Sequence, residues 1–284
     1  MKQDYKYNNP ENQEELFKRV EVPFGKSKEE SWADLEARLV EKPAGKLLQI
    51  RKRNLIYSVA ATLLLLAGVF SLLRFYTNTV ICPAGEHLAY QLPDGSMVQL
   101  NADSKITYHP YWWNFSREVR FDGEGFFEVE KGSRFRVISG AGTTEVLGTS
   151  FNIFAREGEY KVTCLSGQVK VTSFAKAEVV LSPDYSAQVS STGEIIMTKE
   201  VSTADTHAWI DNMFRFTSKP LGQVLQEIER QYSVRVTMKS PVDLTYTGFF
   251  SKNRPLEETL TLVCTPFGLN FAKISEKEYV ISQN

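Results

Sequence analysis

Residues 55–73, LIYSVAATLLLLAGVFSLL, run 19 positions without a charge, the length at which a helix crosses a ~30 Å hydrocarbon core. Arg51, Lys52 and Arg53, followed by Asn54, close the run on one side, and Arg74 closes it on the other. A buried helix of a soluble domain usually keeps a polar face. Here the polar residues are Tyr57, Ser58, Thr62 and Ser71, all tolerated near an interface or against backbone. The run therefore predicts one membrane span over 55–74. Basic residues before it (Lys42, Lys46, Arg51, Lys52, Arg53) outnumber Arg74 after it, so the N-terminus is expected to stay cytoplasmic. The run starts after about fifty polar residues, and Phe75, Tyr76, Thr77 and Asn78 offer no small-residue cleavage site. No small residue precedes Cys82, as a lipoprotein signal would need. An uncleaved anchor is expected. It divides the chain into a short cytoplasmic piece, one span and an exported piece of about 210 residues.

Over the full chain, 42% hydrophobic and 12% aromatic residues describe folded material, well above the range of disordered chains. A net charge of −1 gives no footprint for direct nucleic-acid binding. Cys82, Cys164 and Cys264 are odd in number and match no zinc or redox spacing, and His87, His109 and His207 are scattered. Buried single thiols and no metal or other cofactor are expected.

In the cytoplasmic segment, 1–54, the first dozen residues are polar and rich in turn formers, and residues 11–20 read as a weak helix. Ser27 followed by Glu30 is a capping box. Trp32, Leu35, Leu39 and Val40 then recur at i, i+3, i+7 and i+8, one apolar stripe on a helix that stops near Pro43. A helix of about 14 residues is marginal alone in water, so something must cover the stripe. Two readings stand open: packing against residues 11–20 or the membrane surface, and docking into a cytoplasmic partner with Trp32 as anchor.

From about residue 91 to residue 206 the pattern changes to short alternating runs between turn signals. Strands are expected at 97–101, 119–121, 126–129, 135–138, 144–147, 151–154, 160–165, 168–172, 178–181, 187–190 and 194–198, with a turn at 122–125. Evenly spaced strands with glycine turns predict an all-β domain, sandwich or solenoid-like, over 76–206. Residues 207–284 read as a small α+β module of order βαβ–βαββ. Its first helix is expected to be capped by Ser218 with Leu221, Val224, Leu225 and Ile228 inward, and its second to open near Pro255 with Leu256, Leu260 and Val263 inward.

Four ordered motifs carry a resemblance: LPDGSMVQLNADSKITY at 92–108, VRFDGEGFFEV at 119–129, VLGTSFNIFA at 146–155 and LSGQVKV at 165–171. In order and spacing they resemble the FecR family, single-span regulators of extracytoplasmic-function (ECF) sigma factors. Matching positions are Asp94, Gly95, Ser96, Leu100, Asn101, Arg120, Gly123, Glu124, Phe126, Phe127, Gly148, Thr149, Phe151 and Gly167. Phe121-Asp122 and Pro183-Asp184 depart from the usual pairs. FRFTSKPLGQVLQEIERQYSVRV and TGFFSKNRPLEETLTLVC resemble the secretin/TonB short N-terminal (STN) type of domain that follows the FecR domain in Bacteroidetes-type anti-sigma factors. The residues themselves read mostly as scaffold: glycines for tight turns, and Asn101, Ser104, Arg120 and Glu124 closing turns or pairing charges at the rims.

The resemblance implies an anti-sigma factor in the inner membrane with the C-terminus in the periplasm. It implies a sigma factor held by Trp32, Leu35, Leu39 and Val40, a periplasmic input from the signalling domain of a TonB-dependent transporter, and stepwise proteolysis ending with an intramembrane protease. Some similar proteins cleave themselves at a Gly-Thr, here Gly148-Thr149, by attack of the threonine hydroxyl on the preceding carbonyl. The residues themselves read instead as a tight turn with a capped amide, and no enzymatic activity is expected. A periplasmic glycosidase would need two facing carboxylates in a pocket, and the acidic residues sit singly. The remaining alternative is an anchored periplasmic adaptor without sigma control.

Overall fold

The computed structural model describes residues 25–40, 45–199, 207–240 and 242–283, leaving aside the side chains of residue 40 and residues 45–50. Helix α1, Lys28–Val40, opens on the expected capping box. The Ser27 backbone N–H donates to Glu30 Oε2 at 2.9 Å, and the Glu30 N–H donates to Ser27 Oγ at 3.1 Å. Trp32, Leu35 and Leu39 are all exposed. The expected helix at 11–20 lies outside the described residues. Helix α2, Gly45–Phe75, contains the one described helix long and apolar enough to cross a membrane, Arg51–Phe75, and none of that stretch is buried. Its Ser58 and Thr62 hydroxyls donate to the Leu55 and Ser58 carbonyls, as polar residues on an apolar helix should.

The chain divides into two compact units, Met1–Ala67 and Gly68–Asn284. The second begins with a β-sandwich of thirteen strands: β1 (Asn78–Cys82), β2 (Leu88–Gln91), β3 (Met97–Leu100), β4 (Ser104–Tyr108), β5 (Arg117–Glu128), β6 (Phe135–Ser139), β7 (Gly142–Val146), β8 (Ser150–Arg156), β9 (Glu159–Ser166), β10 (Val169–Ser173), β11 (Glu178–Leu181), β12 (Tyr185–Val189) and β13 (Ile195–Lys199). One sheet runs β1-β4-β5-β6-β7-β10-β11 and the other β2-β3-β5-β8-β9-β12-β13. All pairings are antiparallel except β5 with β6. The long strand β5 belongs to both, pairing with β4 and β6 through its first half and with β3 and β8 through its second. Between the sheets lies one apolar cluster that includes Ile106, Phe121, Phe127, Phe135, Phe151, Val162 and Val171.

This corrects the expected turn at 122–125, because β5 is unbroken there. Gly123 adopts φ +118° and lets Ser104 approach so closely that a Cβ would collide with its Oγ. Gly125, where a Cβ would meet the Phe121 ring at 3.0 Å, joins Gly123 in letting the strand pass from one sheet to the other; neither reverses it. Strands β1, β2 and β4 add three elements to the expected set.

The chain continues with β14 (Met213–Pro220), α3 (Leu221–Tyr232), β15 (Arg235–Met238), β16 (Thr245–Ser251), α4 (Leu256–Cys264), β17 (Leu269–Ser275) and β18 (Glu278–Gln283). The order is the expected one, split into a β14-β16 pair and a β15-β18-β17 sheet. Both predicted helix stripes are buried, with Val224, Ile228, Leu260 and Val263 at 0% exposure. Ser218 is not the cap of α3. It sits at φ +49° within β14, its N–H donates to Thr247 Oγ1 at 2.9 Å, and Pro220 occupies the cap position without a side-chain bond. Cys82, Cys164 and Cys264 are buried free thiols, each pushed up to about 11 by burial.

Candidate functional site

The family-motif residues fall into three working groups and a core. The turn after β2 is the first. Asp94 accepts from the Ser96 N–H (3.1 Å) and Ser96 Oγ (2.9 Å), and Ser96 Oγ in turn accepts from the Glu130 N–H (3.0 Å). Arg117 forms a buried ion pair with Asp94 and donates to the carbonyls of Glu130 (2.9 Å) and Ser133 (2.6 Å). One arginine thus ties the β2–β3 turn to the segment leaving β5, with Gly95 at φ +89° closing the turn.

Gly148, Thr149 and Gly167 form the second group. Gly148 adopts φ +151° with its α-carbon against Lys131, and Gly167 lies against Thr149. The Thr149 hydroxyl donates to the Gln168 carbonyl at 3.2 Å, and Thr149 is 4% exposed. Leu100, Phe127 and Phe151 are core residues, the two rings stacked at 5.2 Å. Phe126 faces His207 at 5.9 Å. Arg120 is exposed on β5.

Asn101 and Glu124 form the third group, and here the structure departs from the expectation of rim charges. Glu124 accepts from Asn101 Nδ2 (2.8 Å) and Asn152 Nδ2 (3.2 Å). Helix α3 closes over them: Gln231 Nε2 donates to Asn101 Oδ1 (2.6 Å) and Glu227 Oε1 (2.8 Å), while Gln231 Oε1 meets His87 Nε2 at 3.0 Å. Arg230 bridges Glu227 and Glu157, each at 3.0 Å, and Gln223 donates to Glu159 at 2.7 Å. Lys252 Nζ and the Gly85 N–H complete the join, to the carbonyls of Gly85 and Arg230.

Burial, reinforced by the Glu227 carboxylate, pushes Glu124 up to about 7 against the opposing pull of Arg156, Asn101 and Asn152. Burial lowers His87 and Arg156. The join between sandwich and C-terminal module is therefore polar and adjoins a cleft of about 790 Å³ walled by Asn152, Thr163, Trp209, Phe214 and Gln223, among others. An interface of this character resembles a separable one more than a domain core. Sequence reading missed it because the partners of Asn101 and His87 lie 130 and 144 residues away.

In the first unit, Trp32 (62% exposed), Leu35 (50%) and Leu39 (64%) form the bare stripe on α1, whereas the Val40 side chain lies outside the described residues. Among the described residues no His, Cys, Asp and Glu cluster could hold a metal ion.

The sequence pattern of the family described as FecR protein matches residues 78–170, and that of FecR, C-terminal, matches residues 213–281. Two crystal structures of a proposed anti-sigma factor from Parabacteroides distasonis superpose on this chain. One, at 2.50 Å, has a TM-score of 0.68 and 26% identity, covering 74% of this chain and all of the other. The second, at 1.65 Å, has a TM-score of 0.67 and 27% identity, covering 73% and 99%. A comparison with curated proteins gave no match. With both halves of its second unit matched in order, this chain belongs to the FecR family.

Proposed function

We propose that this chain is a single-span sigma regulator of the inner membrane, with residues 1–54 in the cytoplasm and the β-sandwich and C-terminal module in the periplasm. The observation that carries the reading is the capped helix α1, whose Trp32, Leu35 and Leu39 are bare, placed ahead of an unburied apolar stretch at Arg51–Phe75. An amphipathic helix whose apolar stripe has no cover among the described residues is the form in which a groove-binding segment waits for its partner. The similar chains from P. distasonis, proposed as anti-sigma factors, support a sigma factor as that partner, the resemblance to the FecR family narrows it to an ECF sigma factor, and Val40 continues the stripe by its spacing in the sequence. The excess of basic residues before α2's apolar run supports the cytoplasmic N-terminus.

On the periplasmic side the input is the signalling domain of a TonB-dependent transporter, and the output is release of α1, completed by proteolysis that ends with an intramembrane protease. Strands β14 and β16 pair only with each other among the described strands, so the C-terminal module keeps open edges to which a partner strand can add. The polar join through Gln231 and Glu124 supports a switch at this level. A partner preferring one arrangement of the two modules shifts the population by its differential affinity.

The test is co-purification of sigma factors with the detergent-solubilised full chain, wild type beside Trp32→Ala/Leu35→Ala. Recovery of one ECF sigma factor with the wild type, reduced at least tenfold in the double variant, is expected. Equal recovery from both, or none from either, would remove the assignment.

A further inference from the structure

The turn between β4 and β5 carries Tyr111, Trp112, Trp113, Asn114 and Phe115. Its aromatic side chains are too exposed for a loop with no role. Phe115 is 76% exposed and Tyr111 57%, while Trp113 alone is taken into the sandwich core at 3%. Trp112 does not pack on the sandwich surface only. Its ring meets Phe70 edge-on at 5.6 Å, and the Arg74 guanidinium lies 5.2 Å above it. Tyr76 meets Tyr111 at 5.3 Å, Trp112 meets Phe115 at 4.6 Å, and His109 Nδ1 reaches the Tyr76 carbonyl at 3.1 Å. The loop is thus joined to the last turns of α2 at several points. Phe75 and Tyr76 beside it are also exposed, at 70% and 50%.

The uncharged run 55–73 spans ~28 Å as a helix, close to the ~30 Å hydrocarbon thickness. With Arg51, Lys52 and Arg53 at the inner boundary, Arg74 lies at the outer headgroup level and Phe70 one turn deeper. A ring touching both lies at the water–lipid boundary. That is the depth that tryptophan and tyrosine prefer, since the ring is apolar and the N–H or O–H is wet. Phe115, one ring further out from Trp112, offers only an apolar face.

We propose that the loop 111–115, with Phe75 and Tyr76, is a membrane-docking surface that seats the β-sandwich on the outer leaflet of the same bilayer that α2 spans. The occupant is the lipid interface itself, because the patch is continuous with the span. The inference rests on the membrane-spanning reading of α2. It adds that the sandwich is held down beside the span and does not swing freely on a linker, so a change in the sandwich acts directly on the outer turn of α2.

The experiment places single nitroxide labels on the full chain reconstituted in phosphatidylcholine/phosphatidylglycerol vesicles, at Phe115→Cys, at Leu64→Cys within the span, and at Lys277→Cys in the exposed β17–β18 turn. The three native thiols are buried and stay unlabelled. Collision with oxygen and with a water-soluble nickel complex is measured at each. The expected result is a ratio of oxygen to nickel collisions at Phe115 several-fold above that at Lys277, with Leu64 highest. A lipid-like Leu64 with a water-like Phe115, or a Phe115 label shielded from both reagents, overturns the docking surface and leaves the span intact. A Leu64 label that is not lipid-exposed overturns the span, and this inference with it. Tyr111→Cys gives the same reading should the Phe115 variant fail to fold.

Discussion

Glu124 makes the join between sandwich and C-terminal module sensitive to pH, and replacing it isolates the effect. Its carboxyl is held up to about 7 by burial and by Glu227 across the join. Exposed in the unfolded chain it titrates near the ordinary 4.5. Below 4.5 the carboxyl is protonated in both states and carries no penalty. Between 4.5 and about 7 the unfolded chain releases the proton while the folded chain keeps it, so stability falls as pH rises. Above about 7 both states are ionised and the loss is constant. At ~1.4 kcal/mol per pH unit, the gap corresponds to ~3 kcal/mol. Glu124→Gln keeps the size and the hydrogen-bonding to Asn101 while removing the charge, and the unpaired Asn152 Oδ1 can accept from the new amide. Urea unfolding of a fragment covering residues 76–284, followed by tryptophan fluorescence at pH 5 and pH 8, compares the two. The wild type should lose ~2–3 kcal/mol more than the variant between these pH values. Equal losses would refute the claim that the Glu124 proton is held by the fold.

Other substitutions read the remaining supports. Gly123→Ala places a Cβ 2.6 Å from the Ser104 α-carbon at φ +118° and should lower stability by ~3 kcal/mol or more. Gly158→Ala, at φ +81° with nothing within 4 Å, should cost only ~1–2 kcal/mol, both glycine variants being read by thermal melts. Arg117→Ala leaves the half-buried Asp94 with only its Ser96 donors and should lower the urea midpoint by an amount equivalent to ~2–3 kcal/mol. Because the Thr149 hydroxyl is spent on the Gln168 carbonyl, the full chain should run as one band on a denaturing gel. Wild type and Thr149→Ala should be alike, and a wild-type fragment pair cut at residue 148 would show that the hydroxyl attacks instead.

Local signals are readable in the sequence where they are local in the structure. The Ser27–Glu30 capping box, the stripes of α3 and α4 and most strands of the sandwich follow from spacing within a few residues. The β5 crossing reads as a reversal because Asp122-Gly123-Glu124-Gly125 has the composition of a turn. Only the positive φ of Gly123 and the approach of Ser104, brought by a pairing partner, show why glycine stands there within a strand. Ser218 misleads for the same reason: β14 extends past it through pairing with β16, out to Pro220 opposite Thr245. The Glu124–Gln231 join and the loop at 111–115 leave no periodic trace, since each is assembled from segments far apart in the chain. The aromatic run YWWNF is visible as composition, but its meaning depends on Phe70 and Arg74 lying against it.

In the proposed function the bare stripe of α1 engages a sigma factor while the chain spans the membrane. Placing a photo-cross-linking phenylalanine analogue at Leu39 of the full chain in living cells, followed by identification of the adduct, tests this most directly. One adduct with an ECF sigma factor, lost when Trp32→Ala/Leu35→Ala is added, is the expected result. Adducts confined to lipid or to this chain itself would contradict it, and would make α1 a packing element of an envelope adaptor.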